Sequence, residues 1–162
     1  APAGVRLVRC ETAQEMQAHV MQAMPCDVAI CTAAVADWRP ETEASQKIKK
    51  TGDMRPPALT LVPNPDILAQ LCALGTGRPG LVIGFAAETE TVQAHAQAKR
   101  ARKGCDWLVA NDVSPQTGIM GGDENEIMLI TADGVETWPR MSKHDVAKKL
   151  AGRVAGWWRG VR

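Results

Sequence analysis

Asp37 closes a run of small apolar residues, "CTAAVAD", and Lys47, Lys49 and Lys50 follow as "KIKK" in one unpatterned segment. A carboxylate at a strand end beside a lysine loop suits a polyphosphate in two ways. It can hold a divalent cation that bridges phosphate oxygens, while the lysines close over the anion and offset charge on a departing group. The competing readings are that Asp37 caps a turn or pairs with Arg39, and that the lysines form a solvated loop. Trp38 stacks on a base in the first view and packs under the loop in the second.

Three more stretches have chemical potential. "NPDIL", Asn64–Leu68, places a helix start with free amides where an anion or carbonyl oxygen can sit, or else is plain capping by Asn64. "GFAAE", Gly84–Glu88, offers small residues against which a flat ring can lie, or close helix–strand packing. "KRARK", Lys99–Lys103, ends a helix; Lys99 and Lys103 share a face and can reach one phosphate or base together, although cations suit a helix C-terminus anyway. His19, His95 and His144 fall on three predicted helices without ligand spacing, and neither a dinucleotide fingerprint nor a P-loop is present.

The elements that position these residues follow from pattern. Val5–Val8 ("VRLV") is a strand candidate. Thr12 and Glu15 form a capping box that opens a helix to about Met24. Asp27–Ala36 is near-continuously apolar, as in a strand covered on both faces. Residues Asp37 to Pro57 lack periodicity and read as a long loop. Strands at Ala58–Val62, Leu81–Ala86 and Asp106–Ala110 alternate with helices over Pro65–Leu74 and about Glu88–Lys103, the latter stopped by Gly104. "EIMLIT" and "VETW" flank Asp133-Gly134 as a hairpin, and Ser142 caps a helix through Trp158 with Val146, Leu150, Val154 and Trp157 on one face.

This order predicts an α/β fold: a Rossmann-like open, mostly parallel sheet with helices on both faces and an antiparallel hairpin near the C-terminus. Ligands of such sheets bind beyond the carboxyl ends of the strands. Ala33–Arg39, Asn64–Ile67, Phe85–Glu88 and Asn111–Ser114 all fall there.

With 162 residues, 45% hydrophobic and 23% charged, the chain is long enough for one core that buries about two-thirds of its unfolded surface. A net charge of +1 gives no general attraction to nucleic acid or anionic membrane. No apolar run reaches a membrane span of about 20 residues. Five cysteines without a C-x-x-C pair fit reduced thiols in a cytoplasmic protein and argue against zinc. The start "APAGVRLV", without Met, reads as a piece of something longer.

In order, "AAVADWRP", "KIKK", "NPDIL", "GFAAET", "KGCDWLVANDVS" and "GGDENEIMLI" closely resemble the phosphopantothenoylcysteine synthetase domain of bacterial bifunctional coenzyme A biosynthesis proteins. The resemblance runs from about Val5 to the C-terminal helix. It implies a phosphopantothenate–cysteine ligase that uses CTP and Mg2+: the substrate carboxylate attacks the α-phosphorus of CTP, and cysteine then displaces CMP from the acyl-cytidylate. Carried over by resemblance, CTP contacts fall on Cys31, Thr32, Ala33, Asp37, Lys47, Asn64, Pro65, Asp66, Ile67, Phe85, Lys99 and Lys103. Lys47 is the expected essential charge, on a flap that orders on binding, and Asp37 the expected metal ligand.

The resemblance further implies a homodimer paired through the sheet edge near the C-terminal hairpin. It also implies a fused, FMN-dependent decarboxylase domain outside this chain, and partners limited to phosphopantothenate and cysteine. Residues 1–162 are expected to be a single synthetase domain lacking its first Gly/Ser-rich strand–turn–helix unit, which leaves turnover by this segment alone open. The alternative to a ligase is a non-catalytic nucleotide-binding or assembly module of the same fold. A third reading, RNA binding through the "KRARK" face, lacks the aromatic platform and the net charge it needs.

Overall fold

The computed structural model describes residues 2–42, 44, 46–47 and 58–161. Along the chain run α1 (Ala13–Gln22), β1 (Val28–Cys31), β2 (Trp38–Pro40), β3 (Leu61–Pro63), α2 (Ile67–Ala73) and β4 (Leu81–Glu88). There follow α3 (Val92–Lys103), β5 (Trp107–Asp112), a 3-10 turn at Pro115–Thr117, β6 (Glu124–Ile130), β7 (Val135–Ser142) and α4 (Lys143–Gly160).

Caps set the helix ends. The Thr12 hydroxyl accepts from the Glu15 amide at 3.1 Å, and the Glu15 carboxylate returns to the amides of Glu11 and Thr12. This is the expected capping box. Gly104 stops α3 in the left-handed region at φ 73°, which its missing Cβ permits. Ser142 accepts from the Asp145 amide and opens α4.

The main sheet has the order β1-β4-β5-β6-β7. The β1–β4 and β4–β5 pairs are parallel, and β5–β6 and β6–β7 are antiparallel, as the alternation and the Asp133-Gly134 hairpin predict. Each face has its own core. On one, Leu81, Ile83, Val109, Ile127, Leu129 and Trp138 pack against Val146 and Leu150 of α4. On the other, Val82, Ala86, Leu108, Ala110 and Ile130 pack with Ala96 of α3, and Leu68 and Cys72 of α2 border them. The run "LVIGFAAE" is apolar because β4 is inner and covered on both faces.

Three expectations fail. Val5–Val8 forms no strand; Val5 and Leu7 are 56% and 57% exposed, since a strand needs a ladder partner and, among the described residues, β1 pairs only with β4. The Asp27–Ala36 run yields only the short edge strand β1, with Ile30 47% exposed. The expected loop from Asp37 begins instead with β2, which pairs antiparallel with β3, Trp38 opposite Pro63, to make a second small sheet. Lys49 and Lys50 lie outside the described residues. Among the described residues no helix is long and apolar enough to cross a membrane.

Candidate functional site

Because β1, β4 and β5 are parallel, their carboxyl ends share one edge of the sheet. Cys31 closes β1 there, Glu88 closes β4, and Asn111 and Asp112 close β5. The α3 helix returns antiparallel to these strands, and side chains on a helix lean toward its N-terminus. Lys99 and Lys103 therefore lean back toward the same edge.

Two ion pairs result. Lys103 donates to Asp66, which sits just ahead of α2, and Lys99 lies 3.6 Å from Glu88. Asp66, rather than the expected Asn64, is the N-cap: its carboxylate accepts from the Ala69 amide at 3.0 Å. Partial burial alone would raise the Asp66 carboxyl. The Lys103 hydrogen bond, the Ala69 amide and the charges of Lys103 and Arg102 outweigh it and hold the group below its ordinary value.

Asn64 has a different task. Its amide nitrogen donates to the Asp37 carbonyl at 2.8 Å, and its side-chain Nδ2 donates to the Ala36 carbonyl at 2.9 Å. It thus brackets "NPDI" against "AAVAD". Its Oδ1 is buried and has no partner among the described residues. A cleft of about 350 Å³ opens beside it, lined by Thr12, Met16, Ala33, Ala36 and Arg39. Arg39 donates to the Pro63 carbonyl rather than pairing with Asp37, and so ties β2 to the end of β3.

The fold does not gather the whole expected set. Thr32, Ala33 and Asp37 are exposed where the chain leaves β1, and Lys47 is exposed beyond β2. Ile67 is 8% exposed, so its side chain anchors α2. Pro65 is half-buried between Asn64 and the cap. Phe85 packs against the α4-side core, on the opposite face of the sheet from Lys99 and Lys103. Cys31 is half-buried; burial first, then its neighbours Cys105 and Cys26, push its thiol up, which suits a neutral wall and not a nucleophile. Gly84 is explained by packing, because a Cβ there would lie 2.7 Å from Leu68 Cδ2.

Two roles escaped the sequence reading. The pattern puts Glu88 both in the stretch at a strand's carboxyl end and at the approximate start of a helix; it is the last residue of β4. The parity of β4 would have put it with Val82 and Ala86, facing α3. The bracketing role of Asn64 has no local signal, since both of its partners lie before a separate sheet.

A magnesium ion needs only one or two protein carboxylates when substrate phosphates complete its shell. The exposed Asp37 carboxylate fits that minimal role. No cluster of three or more His, Cys, Asp or Glu among the described residues could hold an ion by itself. Such an ion would arrive with a polyphosphate.

Residues 1–157 match the family described as DNA/pantothenate metabolism flavoprotein C-terminal domain. The coenzyme A biosynthesis bifunctional protein CoaBC of Vibrio vulnificus (strain CMCP6) is 43% identical over 154 residues, covering 94% of this chain. The chain spans 38% of that relative's length. A crystal structure of the C-terminal domain of a CoaBC protein superposes with TM-score 0.76 at 30% identity, over 98% of this chain and 69% of that one. The DNA/pantothenate metabolism flavoprotein of Streptococcus pneumoniae gives TM-score 0.71 at 17% identity, over 97% and 73%, and shares the fold.

Proposed function

This chain belongs to the DNA/pantothenate metabolism flavoprotein C-terminal domain family, and from that membership we propose that it performs the ligase step of coenzyme A biosynthesis. In this reading a carboxylate oxygen of 4'-phosphopantothenate attacks the α-phosphorus of CTP. The bond from that phosphorus to the bridging oxygen of the β-phosphate breaks, and pyrophosphate departs. The cysteine amine then attacks the acyl carbon, the bond to CMP breaks, and the amine gives up a proton to solvent.

The observation that supports this most is that two lysines of α3 are each held by a carboxylate, Lys103 by Asp66, which lies two residues after Asn64, whose buried Oδ1 has no partner among the described residues. Such cationic groups suit a polyphosphate. Asn64 Oδ1 suits an amino donor such as that of cytosine, and the backbone of Cys31, Thr32 and Ala33 suits the rest of the nucleotide. Lys47 supplies charge from the exposed side. A magnesium ion at Asp37 would screen the phosphates as charge moves onto the leaving pyrophosphate.

The second substrate pair is phosphopantothenate and cysteine. The proposed partner is a second copy, joined through β7, whose outer edge has no neighbour in the sheet among the described residues. No residue of this chain is assigned to FMN, which in this reading belongs to a fused decarboxylase domain.

Calorimetric titration with CTP and with ATP, each in magnesium, tests the proposal. Selective CTP binding supports it. Equal binding of both nucleotides favours a generic nucleotide-binding module, and absence of binding removes the nucleotide assignment from this chain.

A further inference from the structure

Within this proposed CTP site, on which the following rests, we infer that Glu88 is a positioning residue: it presents the Lys99 ammonium to the nucleotide at the carboxyl end of β4. Glu88 is the last residue of β4, and its backbone is tied to β5: its carbonyl accepts from the Val113 amide at 2.9 Å, and it pairs in register with Asp112. Its Cα is therefore fixed. Its side chain is only 22% exposed, and its carboxylate lies 3.6 Å from Lys99 Nζ, itself 29% exposed.

A carboxylate in that position is poorly explained by stability. Ion pairs between partly exposed groups contribute little net energy, and partial burial of a charge opposes them. A lysine free on a helix carries rotamer entropy that binding must overcome. Holding it beforehand lowers that cost. The neighbouring pair of Lys103 with Asp66 repeats the arrangement one turn further along α3, with the carboxylate drawn from a different segment. Two lysines at i and i+4 are thereby aimed along one face of the sheet.

The rival view has the opposite sign. If Glu88 merely neutralises Lys99, it competes with the anion, and removing its charge tightens nucleotide binding. The test is calorimetric titration of the 162-residue chain with CTP and magnesium, for the unaltered protein, Glu88→Gln, Lys99→Met and the double variant, with thermal unfolding of each. Glu88→Gln is expected to weaken CTP binding about fivefold while its Tm stays within about 2 °C. The double variant is expected to bind no more weakly than Lys99→Met alone, because the effect of Glu88 passes through that lysine.

Unchanged or tighter binding in Glu88→Gln overturns the inference and leaves the nucleotide assignment standing. So do losses that simply add in the double variant. Should Glu88→Gln lower the Tm, Glu88→Asp decides: recovered affinity supports positioning, and no recovery overturns it. If the unaltered chain binds no CTP, the ligase reading fails and this inference falls with it.

Discussion

Asp66 does two things with one carboxylate, and substitutions separate them. It caps α2 through the Ala69 amide and pairs with Lys103. Asp66→Asn keeps a cap acceptor but loses the charge, whereas Asp66→Ala also loses the cap, at a cost of about 1 kcal/mol. The folded-state carboxyl titrates below its ordinary value of 3.8, so the unfolded chain takes up the proton first as pH falls. The stability Asp66 contributes is therefore present above that value and lost as pH drops through the lower folded one. Urea unfolding between about pH 6 and pH 3 should show a shallower acid loss in Asp66→Asn than in the unaltered protein. An identical slope would mean that the Lys103 pair is energetically silent. Lys47→Ala belongs to the same scale: exposed beyond β2, it should weaken CTP binding or turnover with the Tm nearly unchanged. Unchanged affinity and rate would remove Lys47 from the site.

Among the elements, α1 depends most on its own ends, because none of its residues is buried. Short helices without tertiary burial are marginal in water. Thr12→Ala removes half of the capping box and should cost about 1 kcal/mol, visible as faster amide exchange confined to α1. If exchange there is unaltered, the Gln17–Gln70 hydrogen bond to α2 is what holds the helix. The contact of α2 with β4 is of another kind. Gly84→Ala would press on Leu68 Cδ2 at 2.7 Å and Leu108 Cδ1 at 3.0 Å. Leucine ends can shift but Leu108 is fully buried, so a loss of about 1–2 kcal/mol is expected in urea unfolding. Since α2 carries Asp66 at its cap, the same variant should also weaken CTP binding. A stability loss with intact affinity would show that α2 shifts without moving its N-terminus.

For the whole molecule, the two edges of the main sheet differ. β1 has four residues and leaves Ile30 exposed, while β7 has eight residues, with Pro139 within it. Pro139 is tolerated because β7 is an edge, but it offers no amide to a pairing strand, so a dimer through β7 would pair along its other residues. The proposed dimer through β7 predicts twice the monomer mass in light scattering at micromolar concentration. A monomer at that concentration would count against it.

How legible this chain was depended on how far apart the cooperating residues lie. Thr12 with Glu15, Gly104 after α3, the Asp133-Gly134 turn and Ser142 before α4 act within a turn or two, and each was readable because its physics is local. The alternation of strands and helices settled the parallel core in the same way. The sequence could not assign Glu88 to Lys99, nor Asp66 to Lys103 across 37 residues, nor Asn64 to the Ala36 and Asp37 carbonyls. It also could not tell that "VRLV" lacks a ladder partner, or that Asp27–Ala36 yields an edge strand. Apolar pattern reports that a face is to be covered; which segment covers it, and which carboxylate meets which lysine, follows from strand order and the antiparallel return of α3.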